Sequence, residues 1–441
     1  MIGAVAWQRR LLRRLLQLDH ATPEVDDAAV EAFRAANYRW NFATNLLDGA
    51  SFWFGLSFIS SSTILPLFIS RLSDSPLPLG IVAVIAQGGW FLPQLFTARR
   101  TERLARNKPV VVNLGFFTER LPLWLMPLAA LLALVSPAVA LALLLLAYAW
   151  HAVGAGLIAT AWQELIARCF PVVQRGRFLG LSTFIGTGAG ALGGFLSSWL
   201  LETMPFPQNF ALVFAIAAGA ISLSWLFLAL VREPVQQPRD LPADRRAFRT
   251  DLGNILRRDR NFRRFLLGRA LLALAGMGQG FLAVAAVQRW ALSDGAAGLF
   301  TAAMLGGQTA GTLLFGLLAD RFGHKLSLEL SALAALAAYL LAWLAPDPRW
   351  FYAVFALLGL LLGGVLVSGI LVVLEFAPAG RRPTYVGLAN TGVGVVGVTA
   401  PLVGAGLAAL GFDLLFVLSA AAALASLLVL RFAVQEPRWA E

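Results

Sequence analysis

The sequence predicts an all-α membrane protein with twelve transmembrane helices in two related, pseudo-symmetric six-helix bundles. Three observations lead there. Of 441 residues, 59% are hydrophobic and only 13% charged, against about 45–50% apolar and about 25% charged in a soluble domain. The apolar residues gather into twelve runs, each about long enough to cross roughly 30 Å of hydrocarbon as a helix. Short motifs recur at corresponding places in the two halves of the chain.

In chain order, the runs are 46–70, 76–98, 110–134, 138–161, 178–201, 208–231, 265–288, 296–319, 326–345, 350–374, 384–410 and 412–431, spans one to twelve. Only helices and closed barrels satisfy their backbone hydrogen bonds inside a bilayer. Barrel strands alternate polar and apolar positions, and Leu141-Ala-Leu-Leu-Leu-Leu-Ala in span four shows no such alternation. Residues 1–45 precede the first bundle as an amphipathic, then acidic, segment, with Arg9-Arg10 and Arg13-Arg14 followed by Asp26-Asp27. The first bundle covers 46–231. The linker 232–264 is rich in Arg and contains Pro234, Pro238 and Pro242; its second half could form an amphipathic helix on a lipid surface. The second bundle covers 265–432, and 433–441 is a tail.

The net charge of +11 reads as topology. Most Lys and Arg lie in the connections 99–109, 162–177, 232–264, 320–325 and 375–383, whereas the opposite connections hold only Arg71, Arg289 and Arg349. The positive-inside rule then puts both termini in the cytoplasm. Basic loops at a membrane surface account for the charge without a nucleic-acid partner. Trp162, Trp199, Trp290 and Trp350 fall at span ends, where interfacial aromatics anchor.

Polar residues within the spans are the candidate functional groups. Intramembrane ionisable residues are costly and usually face protein or a water-filled cavity. Glu119 and Arg120 in span three and His151 in span four fall at similar depth across the hairpin at Ser136-Pro137. A buried carboxylate or imidazole can exchange protons near neutral pH, so Glu119 and His151 are the proton-coupling candidates; a static cluster bracing the two spans is the alternative. Ser57 and Ser60 in span one, Gln87 in span two, Trp150 and His151 in span four, Gln279 in span seven and Gln308 in span eight are the substrate-binding candidates. For the uncharged ones the alternative is interhelical hydrogen bonding, worth about 0.6 kcal/mol on average. Asp48, near the cytoplasmic end of span one, is expected to cap or snorkel.

Other chemistries find little support. Cys169 is alone, and His20, His151 and His324 are too scattered for a local metal-ligand pattern. Gly186-Thr-Gly188-Ala-Gly190-Ala-Leu-Gly193 in span five contains the dinucleotide fingerprint, which requires a strand before it and a soluble helix after it. Within an apolar span it reads as close helix packing through small residues. There is no phosphate-binding loop of the Walker type and no nucleophile–base spacing. No catalytic residue, metal or cofactor is expected.

The internal repeat is carried by the loops. After span eight the chain reads Gly316-Leu-Leu-Ala-Asp320-Arg321-Phe-Gly323-His324-Lys325; after span two it reads Ala98-Arg-Arg-Thr-Glu102-Arg103-Leu-Ala105-Arg106-Asn-Lys108. Gly316-x3-Asp320-Arg321-x-Gly323-x-Lys325 resembles the signature of the major facilitator superfamily, which lies in a short cytoplasmic loop between the second and third helices of a half. The first-half copy departs from it, with Ala for both Gly positions and Glu102 for Asp. Glu375-x6-Arg382 at the end of span ten is a further family-like element, with Glu164 as its first-half counterpart. The resemblance implies that spans one, four, seven and ten line a central cavity, and that the loop charges latch and release as the cavity alternates. Arg321 would pair with Glu375 or another loop acid, and Asp320 would accept from the N-terminus of span nine.

The expected function is therefore secondary transport of a small organic solute across the inner membrane by alternating access, coupled to protons, by a monomer. An uncoupled facilitator or exporter of amphipathic compounds is the first alternative. A non-transporting receptor or assembly protein on the same fold is the second.

Overall fold

The computed structural model describes residues 17, 26–101, 104–236, 255–377 and 382–439. Among these residues there is no β-strand, and eleven helices are long and apolar enough to cross a membrane. They correspond to spans two to twelve: Val110–Leu134 and Pro137–Cys169, for example, are spans three and four. Their outward faces carry exposed large apolar side chains, such as Leu146, Leu192 and Leu317, as a lipid-facing surface requires.

Span one is not a single helix. A helix covers Asp27–Ser57, the chain unwinds over 58–63, and helix resumes over Ile64–Ser70. The break falls on the run Ser60-Ser-Ser-Thr63, whose hydroxyls compete with helical backbone bonds. Leu65 N returns to Ser60 O at 3.0 Å across it. The helix also starts well before the apolar run, so the described part of the 1–45 segment is continuous with span one. It is tied to the exit of span six: Asn41 exchanges hydrogen bonds with the Arg232 backbone, each 2.9 Å, and Trp40 Nε1 donates to Leu230 O at 2.9 Å. At the other half's start, Asp259 caps span seven by accepting from Phe262 N at 2.8 Å. Residues 237–254 of the linker lie outside the described residues.

Span three is irregular. Wide π turns cover Val110–Leu114 and Phe116–Arg120, a 3-10 turn covers Leu121–Trp124, and α-helix follows. Pro122 and Pro127 remove two backbone donors, which explains the irregularity at its far end.

The chain divides into two compact contact units: residues 1–56, 88–189 and 210–241, and residues 57–87, 190–209 and 242–441. This division differs from the sequence halves, because the segments 57–87 and 190–209 of the first half belong to the second unit. The first unit is centred on Val111, Leu165, Cys169, Phe170, Phe178 and Leu228, with Phe170 stacked on Phe178 at 4.2 Å. The second has a core around Phe262, Phe265, Leu328, Val372 and Leu430.

Spans eight and ten form an intimate pair in the second unit. Gly307 and Gly311 on one helix and Gly359 and Gly363 on the other lie four residues apart, and a Cβ at any of them would collide with the opposing backbone at Ala356, Leu360, Met304 or Gln308. This is close helix approach through small residues. Gly307→Leu should lower the apparent Tm of the purified protein, because overpacking a tight contact costs about 1–3 kcal/mol or more. An equal Tm for Gly307→Leu and Gly387→Leu, where a Cβ would meet nothing within 4 Å, would refute this packing account.

Candidate transport site

The far face is the end of the bundle opposite the basic loops. There, within the second unit, segments from both sequence halves are fastened together. Arg71, after span one, donates to Asp294 Oδ1 from Nη2 at 2.6 Å and from Nε at 3.2 Å. Asp294 lies between spans seven and eight. One step further in, the Thr63 and Thr301 hydroxyls share a 2.5 Å hydrogen bond. Gln279 Nε2 donates to Ser62 Oγ at 3.0 Å. Spans five and eight meet backbone to backbone at Gly194 and Gly298, and span two meets span eleven at Gly80 and Pro401. The dinucleotide-like glycines thus sit in a membrane helix; close packing is only part of their role, since Gly186 lies against the Trp53 ring but Gly188 meets nothing within 4 Å, and the backbone contact is made by Gly194 just beyond them.

The substrate-binding candidates divide between the units. Ser57, Ser60, Gln87, Gln279 and Gln308 lie in the second, Trp150 and His151 in the first. Ser57 and Gln308 are buried, Ser60 and Gln279 half-buried, and Gln87 and Trp150 exposed. Gln279 is joined to the span-one serine run at Ser62.

In the first unit, Glu119, Arg120 and His151 meet. Arg120 Nη1 is ion-paired with Glu119 Oε2, although the two are neighbours on the wide π turn. His151 Nδ1 lies 2.8 Å from the Glu119 backbone oxygen, so this nitrogen carries the proton. All three are buried. Asp48 neither caps nor snorkels: it is 6% exposed, accepts from Ser224 Oγ at 2.6 Å, and is within electrostatic reach of Arg120.

The loop face is organised by acids that the sequence reading passed over. Glu233, just after span six, accepts from Asn107 N at 2.8 and 2.9 Å and from Lys108 N at 2.8 Å, at the start of span three. Arg168 bonds Glu233 at 3.3 Å, Glu164 at 3.0 Å, and the carbonyls of Leu104 and Ala105. Burial pushes the Glu233 carboxyl above its usual range, against the pull of the two backbone donors and Arg168. Burial pushes the Lys108 ammonium down, and Glu233 opposes this.

The second half repeats the device. Glu436 lies against Gly323 and accepts from Lys325 N; burial raises its carboxyl too. Gly323 has φ 93°, a left-handed conformation that suits glycine. Val231-Arg-Glu233-Pro234 and Val434-Gln-Glu436-Pro437 are thus a repeated capping motif, a signal available in the sequence.

The expected latch partners are rearranged accordingly. Glu375 pairs with Arg438 at 2.8 Å, not with Arg321. Arg321 lies over the Phe322 ring at 5.2 Å. Asp320 is exposed, and its backbone oxygen accepts from Arg438 at 3.1 Å; the carboxylate at the start of span nine is that of Glu436. Lys325 pairs with Glu329 at 3.0 Å. Gly316 is half-buried within span eight. Glu102 and Arg103 lie outside the described residues, and Arg382 begins the span-eleven helix. Among the described residues no group of His, Cys, Asp and Glu could hold a metal ion.

Among the described residues, eleven membrane-length helices and the interrupted span one make the architecture of a polytopic membrane protein. The Major Facilitator Superfamily model matches residues 265–441. A bacterial homologue of the human lysosomal transporter Spinster, inward-facing and unoccupied, matches with a TM-score of 0.63 and 15% identity, over 92% of this chain and 99% of that one. A D-xylose–proton symporter matches with a TM-score of 0.61 and 14% identity, over 90% and 98%. The niacin transporter NiaP of Acinetobacter baylyi is 31% identical over 123 residues, which span 28% of this chain and 28% of that protein. The chain thus has the fold of the major facilitator superfamily transporters, and the family's own sequence pattern runs through its second half.

Two measurements check these contacts. Asp294→Asn removes the half-exposed far-face ion pair, worth about 1 kcal/mol. On a Cys169→Ser background, labelling of Thr301→Cys by an impermeant thiol reagent should rise roughly fivefold, and the Arg71→Asp/Asp294→Arg exchange should bring it back down. At the loop face, Glu233→Ala leaves Arg168 and two backbone donors short of an acceptor and should cost about 3 kcal/mol. Glu164→Ala, at a more exposed carboxylate, should cost under about 1 kcal/mol; equal losses of thermal stability would contradict the assignment.

Proposed function

We propose that the chain is a secondary transporter that moves a small organic solute across the inner membrane by alternating access, coupled to protons. Both termini lie in the cytoplasm, on the side of the basic loops, and the monomer is the working unit. The solute, protons and lipid are its partners. The observation that carries the reading is the far-face fastening: Arg71–Asp294 and Thr63–Thr301 join helices of the two sequence halves through polar contacts, which can part and re-form without exposing an apolar core. The family match supports the transporter class, and the glycine contacts provide rigid pairs of helices to move.

Proton coupling is assigned to the buried group in the first unit. Glu119 is already neutralised by Arg120. Asp48 instead accepts from a neutral hydroxyl, Ser224 Oγ, with Arg120 nearby. Asp48 is therefore the carboxylate that takes up and releases the proton, and Glu119 and His151 hold Arg120 and the span-three–span-four contact in place. An uncoupled facilitator is the second reading, favoured by the scarcity of charge in the spans.

The test is uptake into proteoliposomes under an imposed proton gradient. Niacin, named for the partial relative, is the first probe, followed by a panel of small organic solutes. Accumulation should follow the gradient in the native protein. Asp48→Asn should lose gradient-driven accumulation while keeping solute exchange. Accumulation that persists in Asp48→Asn but fails in Glu119→Gln would return the role to Glu119. Gradient-independent equilibration in the native protein would favour the facilitator.

A further inference from the structure

Span seven carries a cation that no loop or latch uses. Arg269 lies within the Arg260–Ala275 helix. Phe262, Phe265 and Leu272 form the buried stripe of that helix, and position 269 falls on the same stripe, four residues after Phe265 and three before Leu272. The side chain therefore points toward protein rather than lipid. It is half-buried. Its guanidinium lies against Gly369 of span ten: a Cβ there would be 3.1 Å from Nη2, 3.6 Å from Cζ and 3.7 Å from Nη1. Glycine at 369 lets the planar group rest on the span-ten backbone.

Charged groups elsewhere in the second unit have partners of their own. Glu375 is held by Arg438, and Glu329 by Lys325 and Arg431. His324 Nδ1 is engaged with Ser368 Oγ at 3.1 Å. Among the described residues, Arg269 itself has neither an ion-pair partner nor a hydrogen-bond acceptor. An ionisable group within a membrane span is costly and ordinarily faces a partner or a functional cavity. A guanidinium cannot shed its charge, and its fixed fork of donors matches a carboxylate in two-point contact.

We propose that Arg269 is the anion-recognition residue of the transport site, and that the solute class it selects is small organic carboxylates. The assignment deepens the transporter reading and rests on it. The guanidinium takes the carboxylate through paired N–H donors, while Gly369 leaves room for it beside span ten.

The test is ligand binding by the full chain in phosphatidylcholine nanodiscs, read by calorimetry and by thermal shift. The probes are nicotinate against nicotinamide and benzoate against benzamide. The acids should bind and the amides should not. Arg269→Gln should weaken acid binding about tenfold or more, as loss of a charged hydrogen-bond pair does, and Arg269→Lys should fall between. Gly369→Ala, where the added methyl meets only the tip of a flexible side chain, should fold normally and weaken the acids alone. Acids that bind no better than their amides, fail to bind, or bind equally to Arg269→Gln overturn the proposal. So does phosphatidylglycerol retained through Arg269 that the acids do not displace, since the anion would then be a lipid headgroup. Acid binding without uptake into proteoliposomes leaves the assignment standing and removes the transport reading; uptake with no acid preference does the reverse.

Discussion

A charge placed in or beside hydrocarbon has to be answered by another group, and the architecture depends on how each answer is made. Arg120 is answered by Glu119, Arg168 by Glu164 and Glu233, and Arg71 by Asp294. Each pair joins segments that the chain alone would leave independent, or stiffens the turn that carries it. The difference between them is exposure. Arg120–Glu119 and Arg168–Glu233 are enclosed, so parting them would strand a charge and cost several kcal/mol. Arg71 is 47% exposed in its side chain, so water can take over when Asp294 leaves. The first kind of pair builds rigid bodies, and the second makes a closure that can open.

The membrane character and the helices of spans two to twelve were legible from composition, because lipid imposes long apolar runs. The break in span one was present in the letters as Ser60–Thr63, yet length alone read it as one helix. The loop-face acids were harder. Glu233 and Glu436 sit after the last span of each half, far in sequence from the helix starts they cap, and the signature motif points to Asp320 and Glu375 instead. Arg269 was concealed by its surroundings: Arg257, Arg258, Arg260, Arg263 and Arg264 precede it, and only the helix register separates a residue on the buried stripe from the more exposed ones before it. The Glu119–Arg120 pairing depended on a π turn that average helical spacing does not anticipate.

Glycine placement supports the same division of labour. The four-residue glycine pairs of spans eight and ten bring two backbones into contact over two turns, which leaves little freedom between those helices. Gly323 serves otherwise: its left-handed conformation turns the chain between spans eight and nine, and the absence of a side chain makes room for the Glu436 carboxylate. One of the family signature's glycines is thus explained by two local requirements, a backbone angle and a neighbour's volume.

The unwound stretch at 58–63 has a mechanical consequence. A continuous helix resists bending because each turn is stapled to the next by backbone bonds. In span one the stapling lapses over about one turn and a half, and the last four side chains there, Ser60 to Thr63, are hydroxyls that can lend temporary partners to freed carbonyls. The far-face segment Ile64–Ser70, which carries the approach to Arg71, is therefore a short lever on a soft joint. It is joined to the helix before it only through this soft stretch, and it carries its own latch at Arg71.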